Sequence, residues 1–306
     1  MDHGTEIGKE VLGRSRIQTV SPPLWKDYLS LMKPGITLSN LIATVAGFRL
    51  AAGGWGQPGT FFWTLAGTFL VVAGGCVWNN VYDRDIDPWM SRTRTRPIPA
   101  GRISWRSARW IGWGFSLLGL IILLRCVNVL SAVWGAVGVG WYVFVYTAWF
   151  KRKSPWNTVI GGVAGAVPPV IGWTAVTGEM GWPAWVLFFI LFFWQPPHFY
   201  ALALLKEAEY RKAGIPMWPV VRGWRETWEQ MAACAWVLLP ISGLLPLLGY
   251  VSWEYLWVVI PLGFAFGGWI GAGRWVYKRD RWARQVFRLS LVYLLGWMAA
   301  VIHFAG

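Results

Sequence analysis

In the stretch NNVYDRDIDPWMSRTRTRP, residues 79–97, Asn79, Asp83 and Asp87 recur at intervals of four among Arg84, Arg92, Arg94 and Arg96. On a helix that spacing follows one slowly drifting face, with Asn79 and Asp87 about 12 Å apart along the axis at ~1.5 Å per residue. One ion cannot be held by all three groups, but two Mg²⁺ ions bridged by a diphosphate can. Mg²⁺ takes one or two carboxylates and completes its octahedron with water and phosphate oxygens. Asn80 stands beside Asn79 at the same boundary, and Pro88 ends the helix at Asp87. The competing reading is a solvated loop whose aspartates are balanced by arginines. Metal binding is favoured because the spacing begins inside an apolar run, where ionisable groups are expensive and usually functional.

Three further groups could join this chemistry. Arg92 and Arg96 carry guanidiniums suited to bidentate contact with carboxylates or phosphates. KRKSPWN contributes Lys151, Arg152 and Asn157, and KEAEYRKAGIPM contributes Lys206, Glu207, Glu209, Tyr210 and Arg211. Glu207 and Glu209, two apart, diverge by about 200° on a helix, so only one faces a common site. His198, in WQPPHFYA, follows two prolines inside an apolar run. A lone histidine there is more often a hydrogen-bonded packing residue than a ligand. Trp194 is the one tryptophan singled out as a stacking platform; the others read as an interfacial belt. The glycines and prolines of 161–169 either open a helix beside a bulky substrate or allow close helix packing.

These groups need an apolar framework. Of the 306 residues 56% are hydrophobic and 26 are tryptophan, more than a soluble domain of this length can bury. Apolar runs at 36–52, 61–81, 107–126, 130–149, 158–177, 184–203, 230–250, 255–273 and 286–304 each approach the ~20 residues that cross a bilayer. The expected fold is all-α: about nine transmembrane helices around a central cavity open toward the cytoplasmic face. Residues 1–30 form an N-terminal tail and 31–306 one polytopic domain. With a cytoplasmic N-terminus, 26 of the 28 Lys and Arg fall on inner segments, a strong orientation bias. The net charge of +14 is then a topology signal that also attracts anionic lipid or substrate, and no nucleic-acid partner is expected. Cys76, Cys126 and Cys234 show no paired spacing, which argues against disulfides and metal clusters.

Asn79-x3-Asp83-x3-Asp87 resembles the first aspartate-rich motif of the UbiA-type intramembrane prenyltransferases. RDIDPWMSRTRTRPIPAG, YTAWFKRKSPWNTVIGGVAGAVPPVIGW and FFWQPPHFYALALLKEAEYRKAGIPMWPV, in that order, are similar to the haem-farnesylating branch of that superfamily. The likeness runs from about residue 30 to residue 306. It implies transfer of farnesyl from farnesyl diphosphate to a vinyl group of haem B, with water added, in a multi-pass bacterial-type cytoplasmic membrane. It implies Mg²⁺ on Asn79, Asp83, Asp87 and Glu209, with Asp83, Asp87 and His198 catalytic. Substrate would be held by Asn79, Asn80, Arg92, Arg96, Lys151, Arg152, Asn157, Lys206, Glu209 and Tyr210. His198 is implied as a haem contact, either axial ligand or base. The chain departs from the superfamily at its second motif, where a DxxxD-like pair is replaced by Glu207 and Glu209. Haem A synthase and oxidase assembly proteins are the partners implied. The alternatives are prenylation of a quinone precursor or other aromatic or tetrapyrrole acceptor, and a non-catalytic haem or lipid transporter.

Overall fold

The computed structural model describes residues 24–306; the remaining 23 positions of the expected N-terminal tail lie outside the described residues. Residues 24–30 of that tail belong to a short helix, α1 (Leu24–Leu31). Then follow α2 (Pro34–Ala52), α3 (Pro58–Tyr82), α4 (Trp105–Ile122) and α5 (Val129–Gly140). After α5 the chain widens into π-helical turns at Trp141–Phe150, and α6 (Lys151–Lys153) closes that span. The rest comprises α7 (Asn157–Thr177), α8 (Trp182–Leu205), α9 (Glu207–Lys212), α10 (Trp218–Leu247), α11 (Tyr255–Gly271) and α12 (Arg279–Phe304). Nine helical segments among the described residues are long and apolar enough to cross a membrane.

Prolines at the first positions of α2, α3, α8 and α10 start helices where no amide donor is needed. Ser104 and Asn128 cap α4 and α5 by accepting from the amides of Ser107 and Ser131 at 3.0 and 2.8 Å. α2 touches α7, α3 and α12, and so stands between a group formed by α3, α4, α5 and α7 and a group formed by α8, α10, α11 and α12. The α2–α7 seam is backbone against backbone. A Cβ at Gly47 would stand 2.0 Å from the Pro169 carbonyl oxygen, and one at Gly172 would stand 2.1 Å from that of Thr44. α7 runs unbroken from Asn157 to Thr177 through Pro168 and Pro169, so its small residues serve close packing.

Three boundaries differ from expectation, each for a physical reason. α3 stops at Tyr82, and Asp83–Asp85 and Asp87–Trp89 are separate 3₁₀ turns. Arg152 donates to the Tyr82 carbonyl and Arg84 to that of Val81 at 2.9 Å, occupying acceptors that another α-turn would need. The amide of Ile86 bonds Asp83 instead, at 3.0 Å. Asn79, Asp83 and Asp87 therefore do not share one continuous helical face. α10 begins at Trp218, ahead of its apolar run, and is broken at Gly223, whose φ of 74° lies outside helical space. α12 starts at Arg279, its first turns basic.

Candidate active site

The end of α3 and the two 3₁₀ turns sink three acceptor groups into the protein: Asn79, Asp83 and Asp87 are 3%, 1% and 3% exposed. Each meets a cation, two of them from other segments and one from further along the same loop. The Lys33 ammonium donates to Asn79 Oδ1, and that of Lys151 pairs with Asp83 Oδ2. Arg96 Nη1 reaches both oxygens of Asp87, at 3.1 and 2.9 Å. Asn79 Nδ2 donates to Thr147 Oγ1 at 3.2 Å, which ties α3 to the π-helical turns. Beside this row the Arg152 guanidinium takes both oxygens of Asp85 at 2.7 Å. Burying a carboxylate without a partner is prohibitive, so the pairing explains why the chain tolerates this depth.

Burial raises Asp87 above the ordinary aspartate range, against the pull of Arg96. Burial likewise holds the Lys33 ammonium below the usual lysine value. One acceptor remains free: Asp83 Oδ1 is buried and has no hydrogen-bond partner. An ionised carboxylate oxygen only accepts, so a cation would satisfy it where another carboxylate would not. Among the described residues no three His, Cys, Asp or Glu side chains gather into a metal cage. Asp83 Oδ1 is the acceptor that a cation can take without displacing a partner, since Asp87 is held by Arg96 and Asn79 Oδ1 by Lys33. That fits Mg²⁺, which keeps coordination positions for water and substrate phosphate.

Glu209 is placed elsewhere. It accepts from the amide and hydroxyl of Ser91 at 3.0 and 2.8 Å and from Lys206 at 2.8 Å. These contacts hold it below the ordinary glutamate range, the Lys206 hydrogen bond first. In this arrangement Glu209 and Lys206 form a latch between the loops after α3 and α8 through Ser91. Met90, Ala203, Ile215 and Met217 fill an apolar core beneath it, with Tyr210 against its edge. Burial raises the Tyr210 phenol. Arg92 is exposed and forms no ion pair among the described residues.

Other expected contacts turn out to be engaged in the framework. Asn80 Nδ2 donates to the Leu31 and Cys76 carbonyls at 3.0 and 2.8 Å, clasping α1 to α3. Asn157 Nδ2 donates to Pro216 at 3.2 Å and its Oδ1 accepts from Thr158 at 3.1 Å. Arg152 caps α3. His198 lies between α8 and α12, stacked on Trp194 and Phe287 with centroids 4.7 Å away on each side. Ser290 gives its hydroxyl proton to Phe287, so the 2.7 Å contact makes His198 Nδ1 the donor to Ser290 Oγ. None of these partners belongs to the aspartate row. Trp194 donates to the Ser290 carbonyl at 2.8 Å and is buried, which removes it as a free stacking platform. Lys33 and Thr147 are the site residues that sequence reasoning missed. Only the Lys33-Pro34 pair, a cation at the mouth of the first apolar run, could have drawn notice.

The profile of the UbiA prenyltransferase family matches residues 40–298. The chain belongs to this family. UbiA-type relatives named protoheme IX farnesyltransferase include one from Bacillus licheniformis, 46% identical over 289 residues that cover 92% of this chain and 91% of the relative. Another, from Alkalihalophilus pseudofirmus, is 44% identical over 300 residues, covering 95% and 94%. A digeranylgeranylglyceryl phosphate synthase superposes with a TM-score of 0.76 at 18% identity, covering 92% of this chain and 99% of that one. A UbiA homologue from Archaeoglobus fulgidus bound to DMAPP and Mg²⁺ superposes with a TM-score of 0.65 at 18% identity, covering 90% and 99%. At that distance the structures speak for the fold alone.

Proposed function

We propose that the chain transfers the farnesyl group of farnesyl diphosphate to a vinyl group of haem B with addition of water, giving haem O and diphosphate. The observation that carries this reading is the buried Asn79–Asp83–Asp87 row with its ring of Lys33, Lys151 and Arg96. It stands in a family member whose full-length relatives bear the name of that reaction. Asp83, Asp87 and the Asn79 oxygen would hold Mg²⁺. When bound, the ion supplies charge neutralisation to the leaving diphosphate.

The chain's own residues do the rest. Lys33, Lys151 and Arg96 surround the position where negative charge grows as the allylic C–O bond breaks. Pre-set donors there favour the ionised state over the intact diphosphate. The vinyl group forms the new C–C bond with the allylic carbon. Water then closes the resulting cation, its oxygen becoming the hydroxyl and its second hydrogen leaving as a proton. Arg92, exposed and without an ion pair among the described residues, is suited to a haem propionate. The latch between Glu209, Ser91 and Lys206 closes the two loops over this end and keeps bulk water from the allylic cation. We assign the basic end of the bundle to the cytoplasm on the positive-inside bias. One Mg²⁺ accounts for the donor set; a second would need oxygens from the substrate.

The test is product analysis with the purified protein in lipid bilayers supplied with farnesyl diphosphate, Mg²⁺ and either haem B or a hydroxybenzoate acceptor. Hydroxyethylfarnesyl on haem and no prenylated hydroxybenzoate is the expected result. The reverse preference would assign the chain to another branch of the family. No diphosphate release with either acceptor would contradict transferase activity altogether.

A further inference from the structure

A second charged cluster lies at the start of α4, and the reaction above makes no use of it. Trp105 is the first residue of that helix, and three guanidiniums surround its indole. Arg84, Arg106 and Arg109 stand 5.1, 5.6 and 5.5 Å from the ring. None of the three forms an ion pair among the described residues. The nearby carboxylates are committed elsewhere: Asp83 to Lys151, Asp85 to Arg152, Asp87 to Arg96 and Asp27 to Arg102. Arg84 and Arg106 are exposed and Arg109 half-buried, so water screens part of their mutual repulsion and the ring quadrupole offsets a further part. An anion among them removes the repulsion.

The backbone adds to the same potential. Ser104 accepts from the amides of Ser107 and Ala108, whereas those of Trp105 and Arg106 find no intramolecular acceptor among the described residues. They form the positive end of an 18-residue helix. Helix and arginines therefore point to one anionic ligand. Position identifies its source: α4 enters its membrane span directly at Trp105, and the outward face below carries exposed Trp113 and Leu117. A headgroup seated on the arginines would have its acyl chains along that face.

We propose that Arg84, Arg106, Arg109 and the first amides of α4 bind the phosphodiester of an anionic phospholipid. A zwitterionic headgroup fits less well, because its ammonium would add a fourth positive charge. Arg84 adjoins the aspartate row in sequence, whereas Arg106 and Arg109 belong to α4 and take no part in the proposed reaction.

The experiment uses the lipid-stripped full chain in detergent, titrated with fluorescent phosphatidylglycerol, with phosphatidylcholine and inorganic phosphate as competitors. Wild type should bind the anionic lipid more tightly than phosphatidylcholine, with affinity falling as salt rises. The double variant R106Q/R109Q should lose at least about tenfold in affinity, each guanidinium contributing to attraction for anionic lipid. Neither side chain caps a helix or pairs with a carboxylate, and R106Q alone should show a smaller loss in the same direction. Unchanged affinity in the double variant would overturn the assignment. So would equal binding of phosphatidylcholine, or displacement by inorganic phosphate as readily as by unlabelled phosphatidylglycerol, which would mark a free-anion site.

Discussion

The loops after α3 and after α8 occupy the same end of the bundle and hold similar residues, yet they use their charges in opposite ways. In the first, the buried Asp83 and Asp87 and the Asn79 beside them meet cations from separate places: Lys33 before α2, Lys151 after the π-helical turns, and Arg96 further along the loop. In the second, Glu207 pairs with Arg211 and Glu209 with Lys206, four and three residues away on or beside one short helix, and all four side chains are partly or largely exposed. Local exposed pairs contribute little and rearrange easily. Pairs drawn from distant segments into a buried row exist only because the fold assembles them. On the proposed reaction the first loop is the diphosphate end and the second its cover.

The sharpest way to break this comparison is to neutralise the buried row. Asp83→Asn or Asp87→Asn should lower farnesyl transfer by about 10²–10³-fold or more, measured as haem product by mass, in line with loss of a pre-set electrostatic contact. Removing a ring cation should act less strongly. Lys33→Ala or Lys151→Ala should reduce kcat/KM for farnesyl diphosphate by about 10–100-fold, the scale of one charged hydrogen bond, with haem affinity retained.

The pH profile sharpens the picture further. Metal binding needs ionised Asp87, and burial raises its pKa, so the acid limb of kcat/KM should lie above the ordinary aspartate range. Lys33 must stay protonated and its pKa is lowered, so the basic limb should fall below that of a free lysine. Glu209→Gln should cost only about two- to fivefold in rate, because an exposed latch is worth at most about 1 kcal/mol. His198→Ala should have the smallest effect on chemistry. It should lower thermal stability by removing the stacked ring and its bond to Ser290, and leave the Mg²⁺ dependence of the remaining activity unchanged.

The nine spans were legible because a bilayer demands long apolar runs and short connections, a constraint visible in composition alone. The helix ends were not. α3 stops at Tyr82 because Arg152, seventy residues away, takes its last free carbonyl. Asp83 and Asp87 could be read from their spacing, although the helix that made that spacing attractive ends before them. Lys33 escaped notice because one lysine ahead of a proline carries no motif, and its meaning comes from Asn79 across the bundle. Glu209 and His198 were read toward the site by resemblance. The partners they have in the structure, Ser91 and Ser290, are small polar residues with no local pattern to announce them.

The central claim, that the buried row is the diphosphate end, is tested most directly by measuring two affinities in one variant. Asp83→Asn should lose Mg²⁺-dependent binding of a non-hydrolysable farnesyl diphosphate analogue and keep the wild-type affinity for haem B. Normal analogue binding together with lost haem binding would contradict the account, and would move the diphosphate away from the aspartates.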